Sequence, residues 1–227
     1  MSNKIGTISE KSVHSVMKNY ICEDVNKHEI KVGNFIADVK IDNNIFEIQT
    51  SNFKYLIPKI NYYLSNKYNI TIVLPVIHNK IINWVDTKTG EILEKRKTSH
   101  KGVIQDYFKE IYWIKEYIGN PNFCFKAIYV DVNEYKYLDG YGINNKKRAT
   151  KIDKIPYNIG HEININNIND LIKLIPTSIR DKEFSCEEFK KAAKSNSKYF
   201  SSGVKMLREL GVIRVLRKER NKYIYSI

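Results

Sequence analysis

Residues 28–50 read HEIKVGNFIADVKIDNNIFEIQT, and the turn-forming residues inside this stretch decide the fold. Gly33-Asn34 suits a two-residue hairpin turn and separates an apolar-alternating run, His28–Val32, from a second, Phe35–Ile41. A third run, Ile45–Thr50, follows either Asp42-Asn43 or Asn43-Asn44, pairs that both tolerate positive φ. If Val32 closes on Phe35, Glu29 lies opposite Asp38. If Ile41 closes on Asn44, Asp38 lies opposite Glu47. Opposed residues of an antiparallel ladder project from one face at ~4.5–5.5 Å, so Glu29, Asp38 and Glu47 are expected in one row, with Gln49 on the same face. With the Asn43-Asn44 turn the register moves by two, Asp38 faces Gln49, and the acids sit diagonally at ~7–8 Å. Like charges opposed in a sheet are destabilising, so a row of acids points to a divalent cation between them. Hard cations such as Mg²⁺ take carboxylate and carbonyl oxygens.

Working outward, Ser9–Cys22 has Val13, Val16, Met17 and Tyr20 at helical spacing, with Ser9 as cap. Downstream, Phe53, Leu56, Ile57, Ile60 and Leu64 mark one face of a helix that starts near residues 55–57 with Pro58 in its first turn. Ile70–Ile77 is an unbroken apolar run, as expected of a strand buried on both faces. The order is α-β-β-β-α-β. Beyond it the pattern predicts a hairpin over 80–96 turning at 88–90, a helix over 103–118, a strand over 125–132, a polar loop over 137–153 and a short helix over 168–175. The chain is expected to divide into residues 1–176 and 177–227. In the second part, Ser185-Cys186-Glu187-Glu188 is a capping box. A helix over Ser197–Leu210 stops at Gly211, and a hairpin with a basic tip follows. Helix, turn, helix and hairpin is the layout of a winged helix-turn-helix.

The 227 residues carry a formal net charge of +13. Lysine outnumbers arginine 31 to 7, and Ile and Asn are frequent, which is what an AT-rich genome produces. Codon bias does not explain the placement of the charge: residues 180–227 hold 13 Lys and Arg against 6 Asp and Glu. That concentration predicts a polyanion partner, double-stranded DNA first, while a second copy of the chain is left open as a further partner. No apolar run is long enough for a membrane span, the N-terminus has no apolar signal region, and the three cysteines are far apart. The expectation is a soluble, reduced, cytoplasmic protein. No P-loop, Gly-x-Ser-x-Gly or Gly-x-Gly-x-x-Gly is present. His14, His28, His78, His100 and His161 show no metal-site spacing and read as surface or helix histidines. The basic segments 96–101 and 146–148 read as loops, solvated or touching phosphate, and 139–142 as a turn.

Ile36-Ala37-Asp38, a turn, Glu47-Ile48-Gln49, then a helix and an apolar strand resemble the PD-(D/E)xK nuclease superfamily, the restriction-endonuclease-like α/β fold with an αβββαβ core. The resemblance covers about the first third of the chain. It implies that Asp38, Glu47 and the Ile48 carbonyl hold Mg²⁺, with Mn²⁺ able to substitute, and that Glu29 is an additional acid. The third motif position, usually Lys, is Gln49, whose amide can orient a water and hydrogen-bond the scissile phosphate. Lys31, on the strand face of Glu29, is a candidate for the missing positive charge, although a solvated strand lysine is the simpler reading. The implied activity is Mg²⁺-dependent hydrolysis of DNA phosphodiesters by a restriction-like or mobile-element endonuclease. The alternatives are a non-catalytic DNA-binding regulator on an inherited nuclease scaffold and a partner-dependent subunit. In the tail, Lys198, Ser201, Ser202 and Lys205 are expected to face the DNA groove and Val204, Leu207 and Leu210 the core. Arg217, Lys218 and Arg220 are expected to rest on phosphate.

Overall fold

The turn chemistry of residues 28–50 is realised in the computed structural model, which describes residues 12–139 and 149–227. After helix α1 (Ser12–Ile21), strand β1 (His28–Val32) pairs antiparallel with β2 (Phe35–Ile41), Val32 opposite Phe35. Gly33 takes the left-handed φ of +61° that the tight turn demands. β2 pairs with β3 (Asn44–Ile48) with Ile41 opposite Asn44, so the second turn is Asp42-Asn43, Asp42 having φ +50°. Helix α2 (Ile57–Ser65) begins with Pro58 in its first turn, where a missing N–H leaves no bond unmade. It carries the chain across to β4 (Asn69–Val85), which lies parallel to β3.

β4 runs 17 residues, well beyond the apolar stretch 70–77. Its distal half forms the expected hairpin with β5 (Ile92–Lys97) through the turn at 86–91. The helical segment predicted over 103–118 is broken into 3-10 turns around a short α3 (Phe108–Tyr112). β6 (Phe123–Tyr137) then lies parallel to β4, and β7 (Thr150–Ile165) pairs antiparallel with β6. The loop expected over 137–153 is corrected at both ends: Tyr137 closes β6, and residues 150–153 belong to β7. β7 contains Pro156, which a sheet tolerates only at an edge or a bulge, and β7 is the edge strand. The sheet order is β1-β2-β3-β4-β6-β7, with β5 on the free part of β4. The segment expected as a helix over 168–175 is a 3-10 run, Ile168–Leu174. The Ser9 cap, the glycines at 140 and 142 and the basic run 146–148 lie outside the described residues.

Both faces of the sheet are covered. α1 places Val13 and Met17 on one face, against Ile48, Val73, Ile128 and Val130. α2, the 3-10 turn before it and α3 cover the other through Phe53, Ile60, Tyr63, Phe108 and Ile111. The last residues form a three-stranded sheet, β8 (Phe184–Ser185), β9 (Arg214–Glu219) and β10 (Lys222–Ser226), in the order β8-β10-β9. With it go helices α4 (Cys186–Ala192), capped by Ser185 and Glu188, and α5 (Phe200–Glu209). α5 starts at Phe200 rather than Ser197. The Phe108 ring of α3 meets Phe200 at 5.2 Å and Phe189 at 6.1 Å between centroids. A Cβ on Gly203 would lie 1.9 Å from that ring, so only glycine lets α5 approach so closely. Buried phenylalanines contribute roughly 1.5–3 kcal/mol each, enough to hold the tail on the sheet domain as one continuous core. Among the described residues no helix is long and apolar enough to cross a membrane.

Candidate functional site

Asp38 and Glu47 are brought together where β2 and β3 part. The ladder between the strands runs from Ile41–Asn44 to Val39–Phe46 and stops before the two acids. There the Asp38 Oδ2 accepts the Ile48 backbone N–H at 2.7 Å, a bond that the strand ladder would otherwise claim. His14, on α1, places its Nε2 at 3.1 Å from the same Oδ2 and at 3.1 Å from the Ile48 carbonyl oxygen. Both partners are acceptors, so Nε2 carries the hydrogen and the imidazole spans a point on which two oxygens converge.

Glu47 is 2% exposed. From α2, Lys59 Nζ donates to its Oε2 at 2.8 Å and the Tyr63 hydroxyl to its Oε1 at 3.2 Å. Lys59 also donates to the Ile36 carbonyl at 2.6 Å, which anchors the ammonium between β2 and β3. Burial, and then the neighbouring Asp38 charge, pushes the Glu47 carboxyl up to about 7 despite Lys59 and Tyr63. For Asp38 burial again acts upward. The His14 hydrogen bond and charge, the Ile48 N–H and the Lys59 charge outweigh it and hold that carboxyl below its ordinary value. The site is a coupled pair, one acid easily ionised and the other reluctant.

Glu29 does not join them. Its φ of +52° turns it out of the row, its side chain is 66% exposed, and it pairs with Lys18 Nζ at 3.0 Å. The predicted row of three acids is therefore corrected to a pair. Lys31 is exposed on the edge strand β1, and the ammonium at the acids is Lys59 instead. Gln49 follows the acids at the end of β3. Its Nε2 donates to the Ser51 carbonyl at 2.5 Å, and it lines a cavity of about 630 Å³ together with His14, Ile48, Lys151, Asp153 and Lys154. Sequence reasoning missed Lys59 and Tyr63, and it ranked an accessory role for His14 on the first helix below a surface or helix histidine. Lys59 and Tyr63 sit at i and i+4 of α2, one helix face, and that spacing was the available signal.

A protein-family model described as a domain of unknown function, DUF8091, matches residues 11–166, more than half of the chain. The chain belongs to the DUF8091 family. No curated protein and no solved structure matches it. The matched part of the DUF8091 chain runs from α1 through β7 and contains His14, Asp38, Glu47, Gln49, Lys59 and Lys154, so the whole pair and its cavity lie inside the family domain.

In the tail, which lies beyond the family match, Ser201 is exposed and Ser202 half-buried along α5, and Lys198 is exposed just before it. Val204 and Leu207 are buried and Leu210 packs against the same core. Lys205 Nζ lies 5.3 Å from the Tyr112 ring centroid and 3.6 Å from Glu209, directed at α3. Arg217 is held by Glu183 at 2.5 Å and Glu219 at 2.7 Å, and Lys218 lies over Tyr223. Arg220 stands at the hairpin tip with φ +53°.

Proposed function

We propose that this DUF8091 protein is a metal-dependent DNA endonuclease with a restriction-endonuclease-like fold and a C-terminal winged helix. The observation that supports this most is the convergence of Asp38 Oδ2 and the Ile48 carbonyl oxygen on one place, filled here by His14 Nε2 at 3.1 Å from each, with Glu47 beside Asp38. The donor set is hard oxygen, two carboxylates and one backbone carbonyl, the chemistry that Mg²⁺ and Mn²⁺ take. Glu47 is raised to about 7 by burial first and by the neighbouring Asp38 charge second, and a cation beside the pair would offset both. Asp38, Glu47 and Ile48 would hold it. When bound, a divalent ion lowers the pKa of a coordinated water and neutralises charge developing on a phosphate.

The chain's own groups do the rest. Gln49, beside the acids and facing the cavity, positions a water or a nonbridging phosphate oxygen through its amide. Lys59 supplies the positive charge that the residue two after Glu47 usually carries. The tail adds DNA affinity through Lys198, Ser201, Ser202, Lys218 and Arg220.

A second reading has its own support. Among the described residues no group of three or more His, Cys, Asp or Glu is placed to hold a metal, and both Glu47 oxygens are turned to α2. A DNA-binding regulator on a silent nuclease scaffold would keep such internally neutralised acids. Plasmid incubated with the purified chain in Mg²⁺, Mn²⁺ or EDTA separates the two. Nicking with either metal and none in EDTA is expected; DNA binding without nicking in any metal supports the regulator.

A further inference from the structure

The cavity beside Gln49 does not end at Lys154. A second cavity of about 350 Å³, lined by His78, Lys80, His100 and Asp106, shares Ile77 and Lys154 with the first. The two adjoin at Ile77 and Lys154 as one groove along the middle of β4 and the first residues of β7. Under it lies Glu134 on β6, 4% exposed. Three ammonium groups surround its carboxylate: Lys80 at 3.4 Å, Lys136 at 3.4 Å and Lys154 at 3.7 Å.

One buried carboxylate needs one lysine, and here it has three. Their distances exceed the ~2.7–2.9 Å of a fitted charge-assisted bond, so none is committed to the carboxylate. Each lysine side chain keeps about a quarter or more of its surface open: 31% for Lys80, 24% for Lys136 and 25% for Lys154. Lys151 adds a fourth charge, near enough to act on Lys154. Against these four cations stand Glu134, the buried Asp153 and, in the second cavity, Asp106, an excess of one positive charge. Crowding like charges under partial burial is unfavourable in the free protein, and an anion entering the groove would relieve it. Lys154 shows the tension: burial first, and then the charge of Lys151, depress its ammonium below the ordinary value.

We infer that Lys80, Lys151 and Lys154, with Lys136 beside them at Glu134, form a phosphate-backbone site for duplex DNA, laid along the groove that leads from Gln49 past Lys154 to Lys80. The choice of DNA as the polyanion rests on the nuclease reading; the excess of lysines does not. The site holds the strand flanking the scissile phosphate, between the acid pair and Asp106, which Ser195 and Asn196 of the tail hydrogen-bond.

The test is binding of a labelled duplex to the full chain in EDTA, followed by fluorescence anisotropy across roughly 50–200 mM salt. Lys80→Gln with Lys154→Gln is expected to flatten the log–log salt slope by about two units, near 0.9 per lost phosphate contact. Lys67→Gln with Lys88→Gln, the same charge removed from two exposed turn lysines, is the control and should keep the slope. Glu134→Gln removes a competing anion and is expected to tighten binding. Lys80→Arg with Lys154→Arg preserves charge and should bind as the unaltered chain does, which guards against a folding defect in the glutamine pair. An unchanged slope in a folded Lys80→Gln, Lys154→Gln chain overturns the inference, as does failure of the unaltered chain to bind duplex. Failure of Glu134→Gln to tighten binding, with only its melting temperature changed, assigns the lysines to Glu134 alone and also overturns it. All of this is read without metal, so absence of nicking in Mg²⁺ would count against the acid pair and not against the groove.

Discussion

Glu47 and Glu134 are buried to almost the same degree, 2% and 4% exposed, and both face lysine, yet their carboxyls are driven in opposite directions. Glu47 is pushed up to about 7, by burial first and by Asp38 next. For Glu134 burial also acts upward, but the charges of Lys80, Lys154 and Lys136 overcome it and the carboxyl is held below its ordinary value. Burial alone therefore does not set the state of an acid in this fold; the local count of charges does. At the β2–β3 end acids meet one lysine at hydrogen-bond distance and a histidine. At the distal end of β4 and β6, lysines exceed acids. The acid pair beside Gln49 thus suits a cation, and the far end of the adjoining groove, with its lysines, suits a phosphate chain.

The largest effect should come from the acid pair. Asp38→Ala and Glu47→Ala are each expected to lower metal-dependent nicking by at least about a hundredfold, the order seen when one charge-stabilising group is removed from a catalytic site. DNA binding in EDTA should persist in both, because the lysines of the groove are untouched. Undiminished nicking by either variant would detach the pair from the chemistry.

A smaller effect separates the two glutamates by stability. Glu47 titrates near 4.5 when unfolded and near 7 in the fold, so the folded state binds the proton more tightly. Its contribution is fully present below about 4.5 and is lost as pH rises through about 7. Between pH 5 and pH 8 the melting temperature is expected to fall, and Glu47→Gln should remove that part of the fall and melt higher at pH 8. A chain of this size moves roughly 2–4 °C per kcal/mol, so calorimetry resolves the change. Asp38 and Glu134, both shifted downward, act below that window and do not blur it. A variant with the same pH dependence as the unaltered chain would mean that Glu47 stays ionised and that the contrast with Glu134 is empty.

Tyr63→Phe sharpens the same contrast on a finer scale. The hydroxyl donates to Glu47 and so favours its ionised form. A hydrogen bond of about 1 kcal/mol corresponds to roughly 0.7 of a pKa unit, so the variant should move the Glu47 midpoint further up by about that amount. Carboxyl carbon NMR shifts across pH read this directly; a midpoint that stays or falls would remove Tyr63 from the site.

Much of this arrangement was legible in residues 28–50, for a physical reason. Gly33-Asn34 and Asp42-Asn43 admit left-handed backbone where most residues do not, and that pins the register of three strands. The same logic misplaced Glu29, because its own φ is positive and no residue type announces that. Lys59 escaped because α2 was read by its apolar face alone, so the i, i+4 spacing of Lys59 and Tyr63 on a second face went unused. β7 was missed because the pattern was followed from a loop over 137–153 straight to a helix over 168–175, and the run between them is interrupted by Pro156 and Gly160. The alternation of Ile155, Tyr157, Ile159, Ile163 and Ile165 was there, and an edge position forgives the proline. With β7 unread, Lys151 and Lys154 had no place near the acids, so the positive end of the groove was invisible.

The smallest expected effect concerns a cation that is already matched. Arg217 at the tail hairpin was expected to touch phosphate, but Glu183 and Glu219 both hold its guanidinium. Unlike Lys154, which shares one carboxylate with two other lysines, Arg217 has two carboxylates to itself. A phosphate approaching it must displace them or sit beside their negative charge, so little counterion release is left to gain. Arg217→Gln is therefore expected to leave the salt slope of duplex binding within about 0.3 of the unaltered value, well short of the ~0.9 of a full contact. Arg220→Gln, at the tip and farther along the turn, should lower it by close to one contact. If Arg217→Gln flattens the slope as much as Arg220→Gln does, the two acids release the guanidinium on binding. The count of fixed charges that distinguishes the acid pair from the lysine end of the groove would then fail as a guide to which cations in this molecule are free for DNA.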